Sequence, residues 1–328
     1  MALSKITNAS VADNAVHGRR NLLINSGFKV AQRGTSFTSS SVNEYSLDRW
    51  RTEGYALSTV ISQQSFIAGQ TDVPDFPTNY VRVTTNTAIP SGQFWSFQQR
   101  IEKPQVIPIG TQNFTLSFWV KSVSGTISAS AFSFGIGGNK VNCPEITTSW
   151  QKITTTINRA VSSSNAYESM YLVHLPAGAS AISVDIANVQ LEIGEQATPF
   201  EHRSHGEELA ACQRFFCKSY NQDRYPGNNV SPATVNIEGA AATGNGQSTA
   251  NRPFQSAGQY PVTMRTKPTI TLYHITGTSG KITGGSFAEY DGSAVNIGDR
   301  GFNFHPTGNV SNSDNEDHYA IFTADAEL

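Results

Sequence analysis

The residues best suited to binding chemistry lie in one polar and aromatic segment and in one later strand. An aromatic ring that stacks on the C–H face of a sugar, beside amide and guanidinium groups that bond the hydroxyls, makes a common type of binding site. Trp95, Gln98 and Arg100 supply that mixture, and Trp119 lies on the polar face of its own strand. We predict that these four residues bind ligand. The alternative is burial in a core for each tryptophan or, for Trp119, cover by another sheet or subunit.

No segment has the spacing of a catalytic site. The string Gly277–Gly280 (GTSG) departs from the G-x-S-x-G of a nucleophile elbow and is interpreted as a turn. Gly135–Lys140 is similar to a phosphate loop, but no helix pattern follows it, so a hairpin turn is predicted. A glycosidase needs two carboxylates at a set separation, and a pair assembled from distant loops stays open. We expect no catalytic residue and no enzyme activity.

Two groups of residues have the types that bind metal ions. His202 and His205 stand three apart without an identifiable third ligand. Asp314, Glu316 and Asp317 lack the register that wraps a loop around calcium. We interpret the histidines as surface or interface residues and the acidic string as a solvated turn. No metal and no cofactor are expected.

The elements that must position these residues are strands. Charged residues make up only 15% of the chain, and its polar part is rich in Ser, Thr, Asn, Gln and Gly, which is typical of strands and turns. In Asn113–Lys121 apolar and polar residues alternate, which predicts one core face. A change of parity near Ala187 and Asn188 predicts a β-bulge. Further strand candidates are Ala56–Ile61, Tyr80–Thr85, Phe94–Ile101, Trp150–Ile157, Ser169–Leu175, Thr269–Ile275 and His318–Thr323.

The strand spacing, without alternating helices, favours an all-β fold with an antiparallel jelly-roll β-sandwich. One helix is predicted over Ser204–Phe216, where Ser204 and Glu207 have capping-box spacing. A loop-rich stretch follows at residues 239–252. The predicted organisation is an N-terminal attachment arm (1–20), a jelly-roll domain (21–203), a short linking helix (204–220) and a distal C-terminal β domain (221–328).

Charge and composition exclude several classes of partner. The chain has 23 basic and 25 acidic residues without a long run of either sign, whereas nucleic acid calls for a basic face. No segment approaches the ~20 apolar residues that span a bilayer, so no membrane insertion is expected. Cys143, Cys212 and Cys217 lack paired spacing and are expected to be reduced thiols. Residues 1–20 lack the apolar stretch of a secretory signal.

Several blocks of the sequence carry a resemblance to a known family. They are Asn21–Phe37 with Asp48–Trp50, Phe114–Lys121, Val189–Tyr220, Pro261–Tyr273 and Phe322–Leu328. These blocks resemble bacteriophage tail fibre and receptor-binding proteins with a carbohydrate-binding-like jelly roll, and Val189–Tyr220 is the most specific of them. Together they span nearly the whole chain from Asn21 onward.

The resemblance implies a virion tail fibre protein, made in the host cytoplasm, that attaches a phage to its host. The expected partners are host polysaccharide or lipopolysaccharide, two further copies of the chain in a homotrimer, and a phage tail or adaptor protein bound through residues 1–20. Residues 221–328 would form the receptor-binding tip. The family's receptor contacts lie in variable loops, so no binding residue carries over. A capsid decoration or tail adaptor protein and a polysaccharide depolymerase stay open as alternatives.

Overall fold

The computed structural model describes residues 19–39, 43–229, 244–245, 256–284, 287–307 and 317–328. Residues 1–18 of the predicted arm, most of the loop-rich stretch 239–252 and the acidic residues Asp314 and Glu316 lie outside this part of the chain. The chain divides into two units. Unit 1 comprises residues 1–31 and 35–205, and unit 2 comprises residues 32–34 and 206–328.

Unit 1 is a sandwich of two antiparallel sheets. Its strands are β1 (Ser36–Ser39), β2 (Trp50–Gly54), β3 (Thr59–Ser65), β4 (Asn79–Thr85), β5 (Trp95–Glu102), β6 (Gly110–Ser122), β7 (Ser133–Ile136), β8 (Asn139–Asn142), β9 (Gln151–Val161), β10 (Tyr167–Leu175) and β11 (Ser183–Ile193). Sheet A has the order β1-β3-β4-β11-β6-β9, and sheet B has the order β2-β5-β10-β7-β8. The predicted all-β sandwich is confirmed.

Apolar residues from both sheets form the core of unit 1. Phe114, Leu116, Phe118 and Val120 of β6 are fully buried, as their alternation with polar residues predicts. The Phe118 ring meets Phe134 of sheet B edge to face, with 5.1 Å between the ring centres, so aromatic packing joins the two sheets.

The predicted bulge lies in β11. Its register with β6 shifts between Ala187 and Gln190. Asn188 takes a positive φ of 47°, a conformation that asparagine tolerates better than most residues. The extra residue restores the inward direction of Val189 and Leu191, and both are fully buried.

The helix is shorter than predicted. It covers His205–Gln213, and its residues from Gly206 onward belong to unit 2. Phe216–Lys218, placed by sequence analysis in the helical segment, is a short strand, because its backbone pairs with residues 323–325. The predicted strand His318–Thr323 is also corrected, since it divides into two strands with Tyr319 and Ala320 between them.

Unit 2 consists of small antiparallel sheets. Its elements are α1 (His205–Gln213), β12 (Phe216–Lys218), β13 (Gly244–Asn245), β14 (Ser256–Gln259), β15 (Thr269–Tyr273), β16 (Lys281–Thr283), β17 (Glu289–Val295), β18 (Gly301–Thr307), β19 (Asp317–His318) and β20 (Ile321–Asp325). The sheets have the orders β12-β20-β15, β13-β19 and β14-β18-β17-β16. The main hydrophobic cluster of this unit includes Leu272, Ile282, Phe302, Phe304 and Phe322.

Candidate functional site

The outer face of sheet B, which turns away from the core of unit 1, carries one row of residues across all five strands. Arg51 pairs in register with Gln98, Gln98 with Tyr171, Tyr171 with Gly135, and Gly135 with Lys140. Paired residues in neighbouring strands point to the same face. With four spacings of about 4.8 Å each, the row is about 19 Å long. We call this surface the sheet B face.

A single carboxylate organises one end of the sheet B face. Glu53 accepts hydrogen bonds from the Gln98 amide and from Nη2 of Arg100 at 3.2 Å, and Nη1 of Arg51 lies 3.7 Å from Oε1 of Glu53. The Arg100 guanidinium also lies 4.2 Å from the centre of the Tyr167 ring. These contacts fix both arginines in place.

Aromatic rings and a lysine occupy the other end. Nζ of Lys140 lies 4.5 Å from the centre of the Tyr171 ring. The His174 ring centre is 5.7 Å from that of Tyr171 and 5.6 Å from that of Phe94. Phe94 is 41% exposed at the margin of the face. This half of the face therefore offers ring surfaces, a hydroxyl and an ammonium group side by side.

Burial sets the protonation of this half. It lowers the pKa of His174 to about 4, with Lys140 as a second cause, so the imidazole is neutral at neutral pH. Burial also lowers the pKa of Lys140 and raises that of the Tyr171 phenol. The tyrosine is consequently a neutral donor and acceptor, and Lys140 is a poorly solvated cation.

Several polar atoms of this surface are buried without a hydrogen-bond partner in the described part of the chain. They include Oε1 of Gln98, Nε and Nη1 of Arg51 and Nδ1 of His174. An unsatisfied buried polar atom costs about 1 to 3 kcal/mol. All three residues lie on the same face, so part of the unmet hydrogen-bonding capacity of unit 1 lies at the sheet B face.

The structure separates the four residues predicted to bind ligand. Gln98 and Arg100 lie on the sheet B face. The prediction for Trp95 is wrong, because its side chain points into the core and is fully buried. Trp95 and Gln98 are three positions apart in β5, and residues an odd number apart point to opposite faces of a strand.

Trp119 lies on the other sheet. It is partly exposed on the outer face of sheet A, paired with Ala187 and Lys152. Trp119 therefore does not share a surface with Gln98 and Arg100.

Sequence reasoning missed most of the sheet B face. Arg51, Glu53, Tyr171, His174 and Lys140 were not predicted, although Tyr171 and His174 lie in the predicted strand Ser169–Leu175. The available signal was parity, because a polar residue that alternates with core residues faces outward. Which strands pair, and in what register, is not encoded in the parity of one strand.

The histidine pair lies at the surface. His202 and His205 are both exposed, and the His202 ring packs against Phe200. Among the described residues, no group of three or more His, Cys, Asp or Glu side chains could hold a metal ion. No helix in this part of the chain is long and apolar enough to cross a membrane.

A cleft of about 1000 Å³ lies elsewhere in unit 1. Its lining includes Arg20, Gln112, Asn113, Asn158 and Glu195. The amides of Asn113 and Asn158 are already bonded to Glu195 and to each other, at 2.6 Å in both cases. No aromatic side chain is among the described residues that line this cleft, so it lacks the ring surface of the sheet B face.

Comparison with known proteins gives only distant structural similarities. No family model matches the chain, and no curated protein sequence is significantly similar to it. A cyclase from Fischerella sp. TAU is 13% identical with a TM-score of 0.38, over 55% of this chain and 100% of the cyclase. The family 11 carbohydrate-binding module from Clostridium thermocellum, in complex with a mixed-linked tetrasaccharide, is 14% identical with a TM-score of 0.29, over 50% of this chain and 98% of the module.

A phage protein is among the similar structures. The enzymatically active domain of tailspike protein 4 from bacteriophage CBA120 is 14% identical with a TM-score of 0.30. The match covers 48% of this chain and 22% of the tailspike chain. TM-scores at this level do not carry an inference about function.

Proposed function

We propose that this chain is a non-catalytic glycan-binding subunit of a phage tail fibre, and that the sheet B face of unit 1 binds the glycan. The observation that carries the proposal is the row that runs in register from Arg51 through Tyr171 to Lys140. It combines a ring surface with amide, guanidinium and ammonium groups across about 19 Å. Tyr171 and Lys140 of this row are partly exposed, as are Arg100 and His174 beside it, and a short oligosaccharide laid across the strands would contact these groups.

The assignment to a tail fibre is supported by the sequence blocks that resemble such proteins from Asn21 onward. In this proposal the chain is a homotrimer on the virion, joined to a tail or adaptor protein through residues 1–20. Several linked sites raise avidity by a factor of about 10² to 10⁴, so weak binding at each face suffices. The prediction that residues 221–328 form the receptor-binding tip stays a prediction.

The proposal is tested by measuring binding of the full chain to immobilised bacterial surface polysaccharides, with and without periodate oxidation of their sugars. Tyr171→Ala removes the central ring, and we expect at least about tenfold weaker binding, which corresponds to ~1.4 kcal/mol. Lys152→Gln is the matched control, since Lys152 is exposed on sheet A. The control variant should bind like the unmodified protein.

Two outcomes would contradict this proposal. Unchanged binding by the Tyr171→Ala protein would show that the sheet B face is not the binding site. Binding that survives periodate oxidation would show that the ligand is not a periodate-sensitive glycan. The same samples are assayed for new reducing ends, because their appearance would identify a depolymerase instead. Light scattering should give a trimer mass, and labelled antibodies should locate the chain on the tail rather than on the capsid.

A further inference from the structure

Positive charge on the sheet B face is unevenly compensated. Arg51, Arg100 and Lys140 are its cations, and Glu53 is the carboxylate that both arginines approach. Glu102 of β5, which pairs in register with Tyr167, also points to the sheet B face. The chain as a whole has a net charge of −2, so the cations of this face do not follow from a basic composition.

Lys140 is the cation without a counter-ion. No carboxylate of the described residues lies within 4.0 Å of its ammonium group, in contrast to Lys103 and Lys121 of the same unit. Glu53 and Glu102 belong to β2 and β5, and β8, which carries Lys140, is three or more strands away. At about 4.8 Å between neighbouring strands, the backbones of both glutamates lie about 14 Å or more from the backbone of β8.

The surroundings of Lys140 fit an anionic group next to a sugar ring. Lys140 lies on the Tyr171 ring, and its in-register neighbour Gly135 has no side chain. Because Gly135 lies between them in the row, the Lys140 side chain can extend across β7 and place its ammonium group beside the aromatic ring. On the next row, Ser133 and Asn142 add a hydroxyl and an amide that can bond further oxygen atoms.

We propose that the glycan bound by the sheet B face is anionic, and that its acidic group binds Lys140 while a neighbouring sugar ring packs on Tyr171. This inference rests on the proposed glycan-binding function. A carboxylate of a uronic acid and a phosphate substituent present the same chemistry to an ammonium group, which bonds either one as a point charge. The arginine end of the row is a weaker candidate, because Glu53 already neutralises part of its charge.

The test uses the full chain and the same immobilised polysaccharides in matched forms. Each polysaccharide is presented as isolated, after reduction of its uronic acid carboxyl groups with carbodiimide and borohydride, and after removal of phosphate with hydrofluoric acid. We expect one of the two treatments to weaken binding by about tenfold or more, and the treatment that does so identifies the acidic group. Rising salt should weaken binding of the untreated form as well.

Substitution of Lys140 tests whether this residue causes the preference for the untreated, anionic polysaccharide. Lys140→Gln should bind the untreated form about tenfold more weakly and the neutralised form unchanged, whereas Lys140→Arg should keep most of the preference. Lys152→Gln, on sheet A, should leave both affinities as they are. Circular dichroism spectra that superimpose on that of the unmodified protein show that each variant is folded.

The possible failures of the two proposals are distinguishable. If the unmodified chain binds neutralised and untreated polysaccharides equally, the anionic inference is wrong and the glycan-binding function stands. If Lys140→Gln keeps the full preference, the acidic group binds elsewhere and the inference is again wrong. If no polysaccharide is bound in any form, the proposed function itself fails, and the inference fails with it.

Discussion

Arg82 and Asp185 form a two-point ion pair on the outer face of sheet A, with Nε–Oδ1 at 2.7 Å and Nη2–Oδ2 at 2.9 Å. The Asp185 side chain is completely buried, although it points away from the core between the sheets. Lys121 lies 3.7 Å from its second oxygen. Tyr80 lies two residues before Arg82 on the same face of β4, and its pKa is raised by burial and by Asp185.

Asp185→Asn should destabilise unit 1. The substitution removes the anion shared by Arg82 and Lys121, and breaking a buried pair costs about 3 to 5 kcal/mol. Because both cations are about a third exposed, we expect a loss below that range, about 2 to 3 kcal/mol. Urea unfolding followed by tryptophan fluorescence measures the change. Lys152→Gln is the control. If Asp185→Asn lowers the free energy of unfolding by less than about 0.5 kcal/mol, as a surface substitution does, the ion pair does not stabilise unit 1.

Gly135→Ala should disturb the hairpin that carries Lys140. A β-carbon at residue 135 would overlap the backbone oxygen of Asn139 and lie 2.9 Å from Cα of Lys140. The hairpin must shift, so we expect weaker glycan binding together with a loss of about 1 to 3 kcal/mol of stability.

Gly206→Ala provides the control for that substitution. A β-carbon there has no heavy atom within 4 Å, and the residue lies in α1, where alanine is favoured by up to about 1 kcal/mol. Binding isotherms and urea midpoints are compared for the two variants. Equal behaviour of both would mean that the close approach at Gly135 is unimportant.

His174 should make unit 1 less stable as the pH falls from about 6.5 to about 4. Its pKa is lowered to about 4 in the folded chain, so the unfolded chain binds the proton first in this interval. Stability is therefore full above the unfolded pKa and decreases towards the folded one, by about 1 to 2 kcal/mol after allowance for partial exposure. His174→Gln should flatten this dependence in urea titrations at pH 7 and pH 4.5. Parallel curves for both proteins would exclude His174 as the cause.

The cysteines should resist modification in the folded protein. All three are buried and none of them forms a disulfide, and burial raises the pKa of Cys217 to about 12. The thiolate is the reactive form, so Cys217 is unreactive at pH 8. A maleimide reagent followed by mass spectrometry should label none of them without denaturant and all of them in urea. Rapid labelling of the native chain would show that a buried thiol becomes accessible.

Alternation along single strands allowed much of unit 1 to be predicted. The alternation from Phe114 to Val120 predicted which side of β6 faces the core, and the change of parity near Asn188 predicted the position of the bulge. Helix and strand ends were less accurate, because they depend on pairing with distant residues. Phe216 is the clearest case, since an apolar residue at helical spacing became a strand residue when its backbone paired with Asp325.

The candidate site was less predictable than the fold. Gln98 and Arg100 were recognised because they are polar residues in a strand, and Trp95 was misassigned because its parity was not compared with theirs. Lys140 could not be connected with Tyr171 from sequence, because the connection requires the order β10-β7-β8 in sheet B. Side chains that meet through sheet order leave no local pattern.

Residues 32–34 belong to unit 2, and this membership has a consequence for synthesis of the chain. The Arg33 guanidinium lies 3.6 Å from the centre of the Phe216 ring and is paired with Asp325 and Glu327 at 3.2 and 3.3 Å. The ribosome makes Arg33 292 residues before Asp325 and 294 residues before Glu327. Unit 2 can therefore complete these contacts only after translation has passed Glu327, and a fragment that starts at Gly206 would lack them.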